Sequence, residues 1–268
     1  MKVLLTSIAA LAVFSHAAVA WAASSVFLED LTTAELSAAL REGKTTIIIP
    51  VGGTEQSGPH MALGKHNLRA KILAGKIAAE LGDAFVAPVV AYVPEGNITP
   101  PTEHMRFAGT ISIPEPAFKA MLTGAAQSLR QHGFKHIVLL GDHGGYQSSL
   151  KAVAASLNRE WANTSSRIYF IGDYYQATQT TYPQALKDRG LSAVQIGSHA
   201  GVADTSLLMA LDANMVKPDQ FSKAAKDGKA GGTAGDPRAS SAELGQLGVD
   251  AIVKQTTAAI RRARTTAN

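Results

Sequence analysis

The sequence contains no cysteine, and only 6% of its 268 residues are aromatic. Without thiols there is no disulfide, no thiolate metal site and no cysteine nucleophile, which is compatible with an oxidising compartment. The net charge of +4 is a mild excess, and part of it lies in the C-terminal segment 261–264, which we interpret as a solvated helix face. A nucleic-acid surface would need a denser basic stripe with interleaved aromatic residues, so we expect no nucleic-acid partner.

Residues 1–22 have the features of a signal peptide. A lysine at position 2 precedes an almost wholly apolar stretch, 3–19, and small residues follow at Ala20 and Ala22. We therefore expect cleavage after Ala22, with the bonds after Ala20 or Ala23 as alternatives. A retained membrane anchor is the other interpretation, although the apolar run is short for a spanning helix. We expect a periplasmic or secreted protein that has no membrane contact after cleavage.

Segments of strand and helix character alternate along residues 23–268. Strands are predicted at 45–51, 84–93, 136–141 and 167–173, and apolar residues at helical spacing predict a helix over 67–81. This alternation predicts a three-layer α/β fold, in which a parallel or mixed sheet has helices on both faces. We find no internal repeat and no boundary, and we therefore expect a single domain. The polar segment 174–197 is expected to be an irregular lid or rim.

Polar side chains follow two of the predicted strands. Glu55, His60 and His66 come after the first strand, and His143 follows the strand at 136–141. In open α/β sheets, ligands bind at the carboxyl ends of the strands. Imidazole nitrogen and carboxylate oxygen suit Zn²⁺ or Mn²⁺. Five histidines fall in glycine- or proline-rich stretches at strand ends or loops, namely His60, His66, His104, His143 and His199. The pattern predicts a divalent metal site.

Two other kinds of site fit the sequence less well than a metal site. The glycine-rich segment 141–145 follows a strand, as phosphate-binding loops do. It matches neither G-x-G-x-x-G nor G-x-x-x-x-G-K-[ST], which makes nucleotide binding the weaker interpretation. A Ser-His-Asp hydrolase is weaker still, because the chain has no G-x-S-x-G sequence.

Five motifs in order resemble those of the creatininase (creatinine amidohydrolase) family, over roughly residues 45–263. The family patterns and their matches are P-x-G-x-x-E-Q-H-G-P-H-L-P-x-x-T-D at 50–66, H-x-x-F-P-G-T-I at 104–111, N-G-H-G-G-N within 140–146, H-A-G-x-x-E-T-S at 199–206, and a C-terminal pattern that begins at Gly235. The resemblance implies a three-layer α/β fold with a mostly parallel, doubly wound sheet and helices on both faces, often assembled as a homo-hexamer. It also implies metal-dependent hydrolysis of C–N bonds in small cyclic or linear amides.

The resemblance implies a site of two metals bridged by an aspartate, and this chain departs from that pattern. Ser57 replaces a ligand histidine, His66 replaces the bridging aspartate, Asp204 replaces a glutamate and Tyr146 replaces an asparagine. A carboxylate can bridge two cations, whereas a neutral imidazole offers one lone pair to one metal. We therefore expect a single Zn²⁺ or Mn²⁺ per chain.

The surviving ligand set would be Glu55, His66 and His143, with Asp204 as a fourth ligand or the general base. His199 stands at the family's catalytic histidine position and would protonate the leaving nitrogen. Glu95 and His104 lie in a loop that could overhang the site. The residues expected to support the site or contact the substrate are Ser57, His60, His104 and Tyr146. For His60, a hydrogen bond that only stabilises its loop is an equal alternative.

Three functions are compatible with these residues and motifs. The leading one is an exported, metal-dependent amidohydrolase that acts on a small-molecule amide and assembles as a homo-oligomer. A lactone hydrolase is an alternative with the same kind of site. A periplasmic binding or scaffold protein that has lost catalysis is the alternative that Ser57 and His66 suggest. The discriminating feature is whether Glu55, His66 and His143 converge within reach of one metal ion.

Overall fold

The computed structural model describes residues 25–266, so the predicted signal peptide lies outside the described residues. Four parallel strands form one sheet in the order β2-β1-β3-β4. The strands are β1 (Thr46–Val51), β2 (Ala84–Val86), β3 (His136–Gly141) and β4 (Arg167–Phe170). The central strand β1 is buried along its whole length, as expected for a parallel sheet that is covered on both faces.

Ten α-helices accompany the sheet in the described part of the chain. They are α1 (Thr33–Arg41), α2 (Lys65–Leu81), α3 (Glu115–Gln131), α4 (Gln147–Glu160), α5 (Asp173–Gln179), α6 (Thr181–Lys187), α7 (Ala193–Ile196), α8 (Val202–Leu211), α9 (Phe221–Asp227) and α10 (Ala242–Thr266). None of the described helices is both long and apolar enough to cross a bilayer.

Two apolar layers hold the helices against opposite faces of the sheet. Ile48 packs with residues of α2, α5 and α10 on one face. Its neighbours Ile47 and Ile49 pack with residues of α1, α3 and α4 on the other face, because successive strand side chains point to opposite sides. The predicted three-layer α/β architecture is confirmed.

Two predicted segments differ from the structure. The strand predicted over 84–93 ends at Val86, and beyond it only Val90 forms an isolated bridge to β1. Pro88 interrupts the segment and cannot donate a ladder hydrogen bond. The segment 174–197, predicted to be irregular, forms α5, α6 and α7. The prediction was wrong because it relied on the polar composition of the segment. The segment also contains apolar residues at helical spacing, among them the buried Tyr174 and Tyr182.

The sheet register brings the two polar loops to the same edge. Val51 at the end of β1 pairs with Gly141 at the end of β3, and both following loops leave the sheet side by side. Helix α2 packs so close to the first loop that a Cβ on Gly52 would clash with the backbone of Asn67. The Asn67 side chain accepts a 2.9 Å hydrogen bond from the Gly53 N–H. This packing places the start of α2 beside both strand ends.

Candidate active site

Four histidines converge on the buried carboxylate of Glu55. Its Oε2 lies 2.7 Å from His66 Nε2 and 3.8 Å from His143 Nε2. Its Oε1 lies 2.9 Å from His104 Nδ1 and 3.5 Å from His199 Nδ1. The four rings come from α2, the β3–α4 loop, the segment before α3 and the segment before α8, so the fold assembles the cluster from distant parts of the sequence.

Two sets of ligand atoms in this cluster have the spacing that a metal ion requires. Glu55, His66 and His143 form the first set, and within it the donor atoms lie no more than 4.8 Å apart. Glu55, His104 and His199 form the second set, with the same limit. The three ligands predicted from the sequence are therefore brought together. His104 was expected in an overhanging loop, as a residue that supports the site or contacts the substrate, and the structure places it in contact with Glu55.

The buried carboxylate of Asp142 contacts the ring nitrogen of His66 that faces away from Glu55. Its Nδ1 lies 2.6 Å from Asp142 Oδ2, which leaves Nε2 directed at Glu55. A metal-binding histidine usually donates its second ring N–H to a carboxylate in this way. Burial opposes protonation of His66, but the contacts with Asp142 and Glu55 outweigh burial and raise its pKa. In the absence of metal, this histidine therefore holds a proton that a cation would displace.

His143 has a second buried carboxyl behind it. Its Nδ1 lies 3.4 Å from Glu95 Oε2 and accepts a 3.2 Å hydrogen bond from the Gly145 N–H. Burial lowers the pKa of His143 to about 4, so the ring is neutral at pH 7. Burial and the charge of Glu55 raise the pKa of Glu95 to about 8. Neither oxygen of Glu95 has a hydrogen-bond partner among the described residues.

His199 is oriented by the backbone of the β1–α2 loop. Its Nε2 donates to the carbonyl oxygen of Gln56 at 3.1 Å, which leaves the lone pair of Nδ1 facing Glu55. Burial, followed by the charge of Lys65, lowers the pKa of His199 to about 3. The ring is therefore neutral at pH 7. It can protonate a leaving group only after it has itself accepted a proton, which refines the expected role of general acid.

Asp204 lies outside both ligand sets. Its Oδ1 accepts a 2.7 Å hydrogen bond from Arg69, and its Oδ2 accepts one of 2.9 Å from the Ala200 N–H. Burial raises the pKa of Asp204, but the charges of Lys65 and Arg69 outweigh burial and hold it well below its usual range. Both oxygens are occupied by these partners, and Asp204 belongs to neither ligand set among the described residues. Its role as a fourth ligand or general base stays a prediction.

His60 and Ser57 are buried but do not contact the metal-type ligands. His60 Nε2 lies 2.9 Å from the Thr205 hydroxyl, and the ring packs edge-on against Phe221. These contacts support the interpretation that His60 stabilises its loop. The Ser57 hydroxyl has no hydrogen-bond partner among the described residues, so the structure assigns it no supporting contact.

Tyr146 connects the two strand-end loops by hydrogen bonds. Its buried hydroxyl donates to the carbonyl oxygen of Gly52 at 2.6 Å and accepts a 3.0 Å hydrogen bond from the His143 N–H. The side chain thus connects the β1 loop, which carries Glu55, to the β3 loop. Tyr146 therefore fixes the backbone of both loops; its predicted role in the site stays a prediction.

An open cleft of about 550 Å³ leads to the cluster. His104, His199, Arg106 and Lys229 are among the residues that line it. A small amide or the end of a short peptide fits this volume. Access is therefore from the side of the second ligand set.

A protein-family model described as creatinine amidohydrolase (Creatininase) matches residues 29–260. The chain belongs to the creatininase family. A creatinine amidohydrolase of Pseudomonas putida is 26% identical over 201 residues, which cover 73% of this chain and 75% of that protein. A mycofactocin precursor peptide peptidase of Mycolicibacterium smegmatis is 36% identical over 119 residues, which cover 42% of this chain and 45% of that protein. The chain thus matches about half the length of that peptidase.

Solved creatininase structures share the fold. One superposes with a TM-score of 0.75 at 22% identity and covers 89% of this chain and 98% of its own. A structure described as a manganese creatininase gives a TM-score of 0.74 at 23% identity, with 89% of this chain covered. At this identity the likeness establishes the fold. Members of the creatininase family are metal-dependent amidohydrolases.

Several charged residues of this creatininase-family site were not identified from the sequence. Lys65 and Arg69 on α2 are only 1% and 2% exposed, and Asp142 beside His143 is 2% exposed. Arg69 pairs with both Asp142 and Asp204, at 3.2 and 2.7 Å. The sequence contained one indication of this cluster. Arg69 lies four residues after Lys65 and three after His66, so the three side chains are neighbours in the first turns of one helix, next to the strand-end motif.

Proposed function

We propose that the protein is a metal-dependent hydrolase that cleaves the C–N bond of a small cyclic or linear amide. The observation that carries this proposal is the convergence of Glu55, His66 and His143, with Asp142 behind His66. The other oxygen of Glu55, Oε1, is buried and has no hydrogen bond of good geometry within the described residues. A histidine cluster with a purely structural role would not need such a carboxylate.

The donor chemistry of this first set fits a divalent cation, Zn²⁺ or Mn²⁺, at one ion per chain. Two imidazoles and one carboxylate are a common catalytic ligand set that leaves coordination positions open. A bound cation would lower the pKa of a water molecule and polarise the amide carbonyl. Glu55, His66 and His143 would hold the cation, and Asp142 would keep His66 in the tautomer whose Nε2 is free.

The residues of the chain would then handle the protons. His199, neutral and with its Nδ1 lone pair directed into the cluster, accepts a proton from the attacking water. The same ring passes the proton to the leaving nitrogen as the C–N bond breaks. The Gln56 carbonyl keeps the imidazole in this orientation through its 3.1 Å contact with Nε2.

The substrate class is proposed from the relatives. One is named a creatinine amidohydrolase and another a precursor peptide peptidase, and both names describe hydrolysis of C–N bonds. The cleft volume suits a small amide of either kind. A lactone hydrolase would use the same site and remains the alternative, as does a binding or scaffold protein without catalysis.

Export and assembly are further parts of the proposal. The basic start, the apolar run and the small residues at 20–22 support export to the periplasm or medium. Family resemblance supports a homo-oligomer. N-terminal sequencing of protein from the periplasmic fraction, together with light scattering, tests both, with a start at Ala23 and a multiple of the chain mass as the expected results.

The activity is tested with a substrate panel. The metal-loaded protein is assayed on creatinine, N-acyl amino acid amides, short peptides and lactones, beside His143→Ala and a control in which the exposed His132 is replaced, His132→Ala. We expect amide hydrolysis that chelator abolishes, that His143→Ala loses and that His132→Ala keeps. Turnover of lactones alone would select the alternative, and no turnover with metal bound would favour the binding protein.

A further inference from the structure

The second ligand set, Glu55, His104 and His199, takes no part in holding the proposed catalytic cation, although its donor atoms lie no more than 4.8 Å apart. Glu55 Oε1 lies 2.9 Å from His104 Nδ1 and 3.5 Å from His199 Nδ1. Ligand atoms at about 2.0–2.2 Å from a tetrahedral cation stand about 3.3–3.6 Å from one another. Small shifts of these side chains are therefore enough to place one ion between them.

Glu55 offers a different oxygen to each ligand set. The first set uses Oε2, which lies 2.7 Å from His66 Nε2. The second set uses Oε1, which is buried and has no hydrogen bond of good geometry within the described residues. A carboxylate can bind one cation through each of its two oxygens. An ion in the first set therefore leaves an acceptor atom for an ion in the second.

The two histidines of the second set are accessible from the open cleft. His104 and His199 both line it, and their side chains are 24% and 17% exposed. His199 Nε2 donates to the Gln56 carbonyl oxygen at 3.1 Å, and such a contact fixes the tautomer of a metal-binding histidine. His104 Nδ1 contacts the side-chain Nε2 of Gln56 at 3.0 Å. A cation from solvent thus meets an oriented His199 and displaces one amide from His104.

Binding at this set should be weaker than at the first. The buried carboxylate of Asp142 supports His66 in the first set. Within the described residues, neither His104 nor His199 has an ion-pair contact with a carboxylate other than that of Glu55. Two cations that share the charge of Glu55 also repel each other. The second set should therefore fill only when the cation exceeds one per chain, and protein purified without added metal should hold one ion.

We propose that Glu55, His104 and His199 form an inhibitory metal site, which binds a second Zn²⁺ ion when zinc is in excess and thereby blocks catalysis. Imidazole nitrogen suits Zn²⁺, whereas Mn²⁺ favours oxygen ligands, so the site should select zinc over manganese. It is not the second metal position that the family resemblance implies, because that position needs a ligand where this chain has Ser57. The block rests on the proposed function, whereas the binding of the ion does not.

The block follows from the single lone pair of His199. A neutral imidazole has one N–H and one nitrogen lone pair. Nε2 donates its N–H to the Gln56 carbonyl oxygen, which leaves the Nδ1 lone pair to accept the proton of the attacking water. An ion bound to Nδ1 occupies this lone pair. His199 can then neither accept the proton nor pass it to the leaving nitrogen.

A binding titration tests the site without any measurement of activity. Zinc chloride is titrated calorimetrically into chelator-treated wild type, His104→Ala and the exposed-site control His132→Ala. We expect two ions per chain in wild type and in the control, with the second bound at least about tenfold more weakly because its histidines lack carboxylate support. His104→Ala should bind one ion with the affinity of the first, which also shows that the variant is folded. A single ion in wild type, or a second ion kept by His104→Ala, overturns the site.

An activity measurement tests the block. Wild type loaded with one ion per chain is assayed on the best amide of the substrate panel while free Zn²⁺ is raised. The rate should fall about tenfold when free Zn²⁺ reaches ten times the dissociation constant of the second ion, as occupancy of one site requires. Mn²⁺ at the same concentrations should inhibit less. A rate that is unchanged or higher with the second ion bound refutes the block, as does equal inhibition by the two metals.

The two measurements separate this inference from the proposed function. Two ions in wild type and one in His104→Ala support the site even if no amide on the panel is hydrolysed, in which case the proposed function fails. Amide hydrolysis by a protein that binds only one zinc ion supports the proposed function and overturns the site. Loss of the tighter ion in His104→Ala also overturns it, because the second set would then hold the catalytic cation.

Discussion

Protonation of His60 should make the protein sensitive to acid. The ring is fully buried, and burial together with the charge of Lys65 lowers its pKa from 6.5 to about 4. Between pH 6.5 and 4, His60 is protonated in the unfolded chain but stays neutral in the folded chain. Stability from this group is therefore complete above pH 6.5 and is lost as the pH falls towards 4. The two pKa values correspond to about 3.4 kcal/mol in total, of which about 2.4 kcal/mol is lost between pH 7 and 4.5.

The variant His60→Gln removes this titration and keeps a donor for Thr205. Urea unfolding of the chelator-treated protein is measured at pH 7 and 4.5, for wild type, for His60→Gln and for the exposed-site control His132→Gln. The free energy of unfolding of wild type should fall by about 2.4 kcal/mol more than that of His60→Gln. The control should follow wild type. An equal acid loss in wild type and His60→Gln would refute the reasoning.

Three further predictions concern the charges around the ligands. Arg69→Met leaves the buried Asp142 and the half-buried Asp204 without their shared partner. It should destabilise the protein by about 3–5 kcal/mol in urea, since Asp142 is then an unpaired buried charge; a loss below about 1 kcal/mol would contradict this. Asp142→Asn should weaken metal affinity about 10–100-fold in a chelator competition, and an unchanged affinity would mean that Asp142 does not support the metal ligand. Metal binding at pH 7 should displace the proton held by His66, so titration in a weakly buffered indicator solution should show acid release; no release would mean that His66 is not a ligand.

The sequence predicted the sheet and the first ligand set because both depend on local signals. The apolar run of β1 breaks into polar residues at Glu55, and β3 breaks in the same way before His143. Parallel strands then bring the two loops to one edge without further information. The creatininase motifs supplied the family. Their departures at Ser57 and His66 led to the expectation of one metal per chain, which stays a prediction.

The parts that were missed depend on contacts between distant residues. Arg69 and Asp204 are 135 positions apart, and their pairing occupies one oxygen of Asp204 and lowers its pKa. The contact of His104 with Glu55 likewise depends on how the 94–107 loop folds back. Periodicity and composition carry no information on such pairings. The burial of Lys65 was also beyond the sequence, since a lysine at a helix start is ordinarily solvated.

The metal centre is tested most directly by elemental analysis of the protein purified without chelator, together with three alanine variants. We predict about one zinc or manganese per chain, lost in His66→Ala and His143→Ala and retained in His104→Ala. Two ions per chain would show that Glu55 serves both ligand sets, against the single-metal expectation. No metal in wild type after reconstitution, or metal retained by both His66→Ala and His143→Ala, would contradict a metal centre at Glu55, His66 and His143.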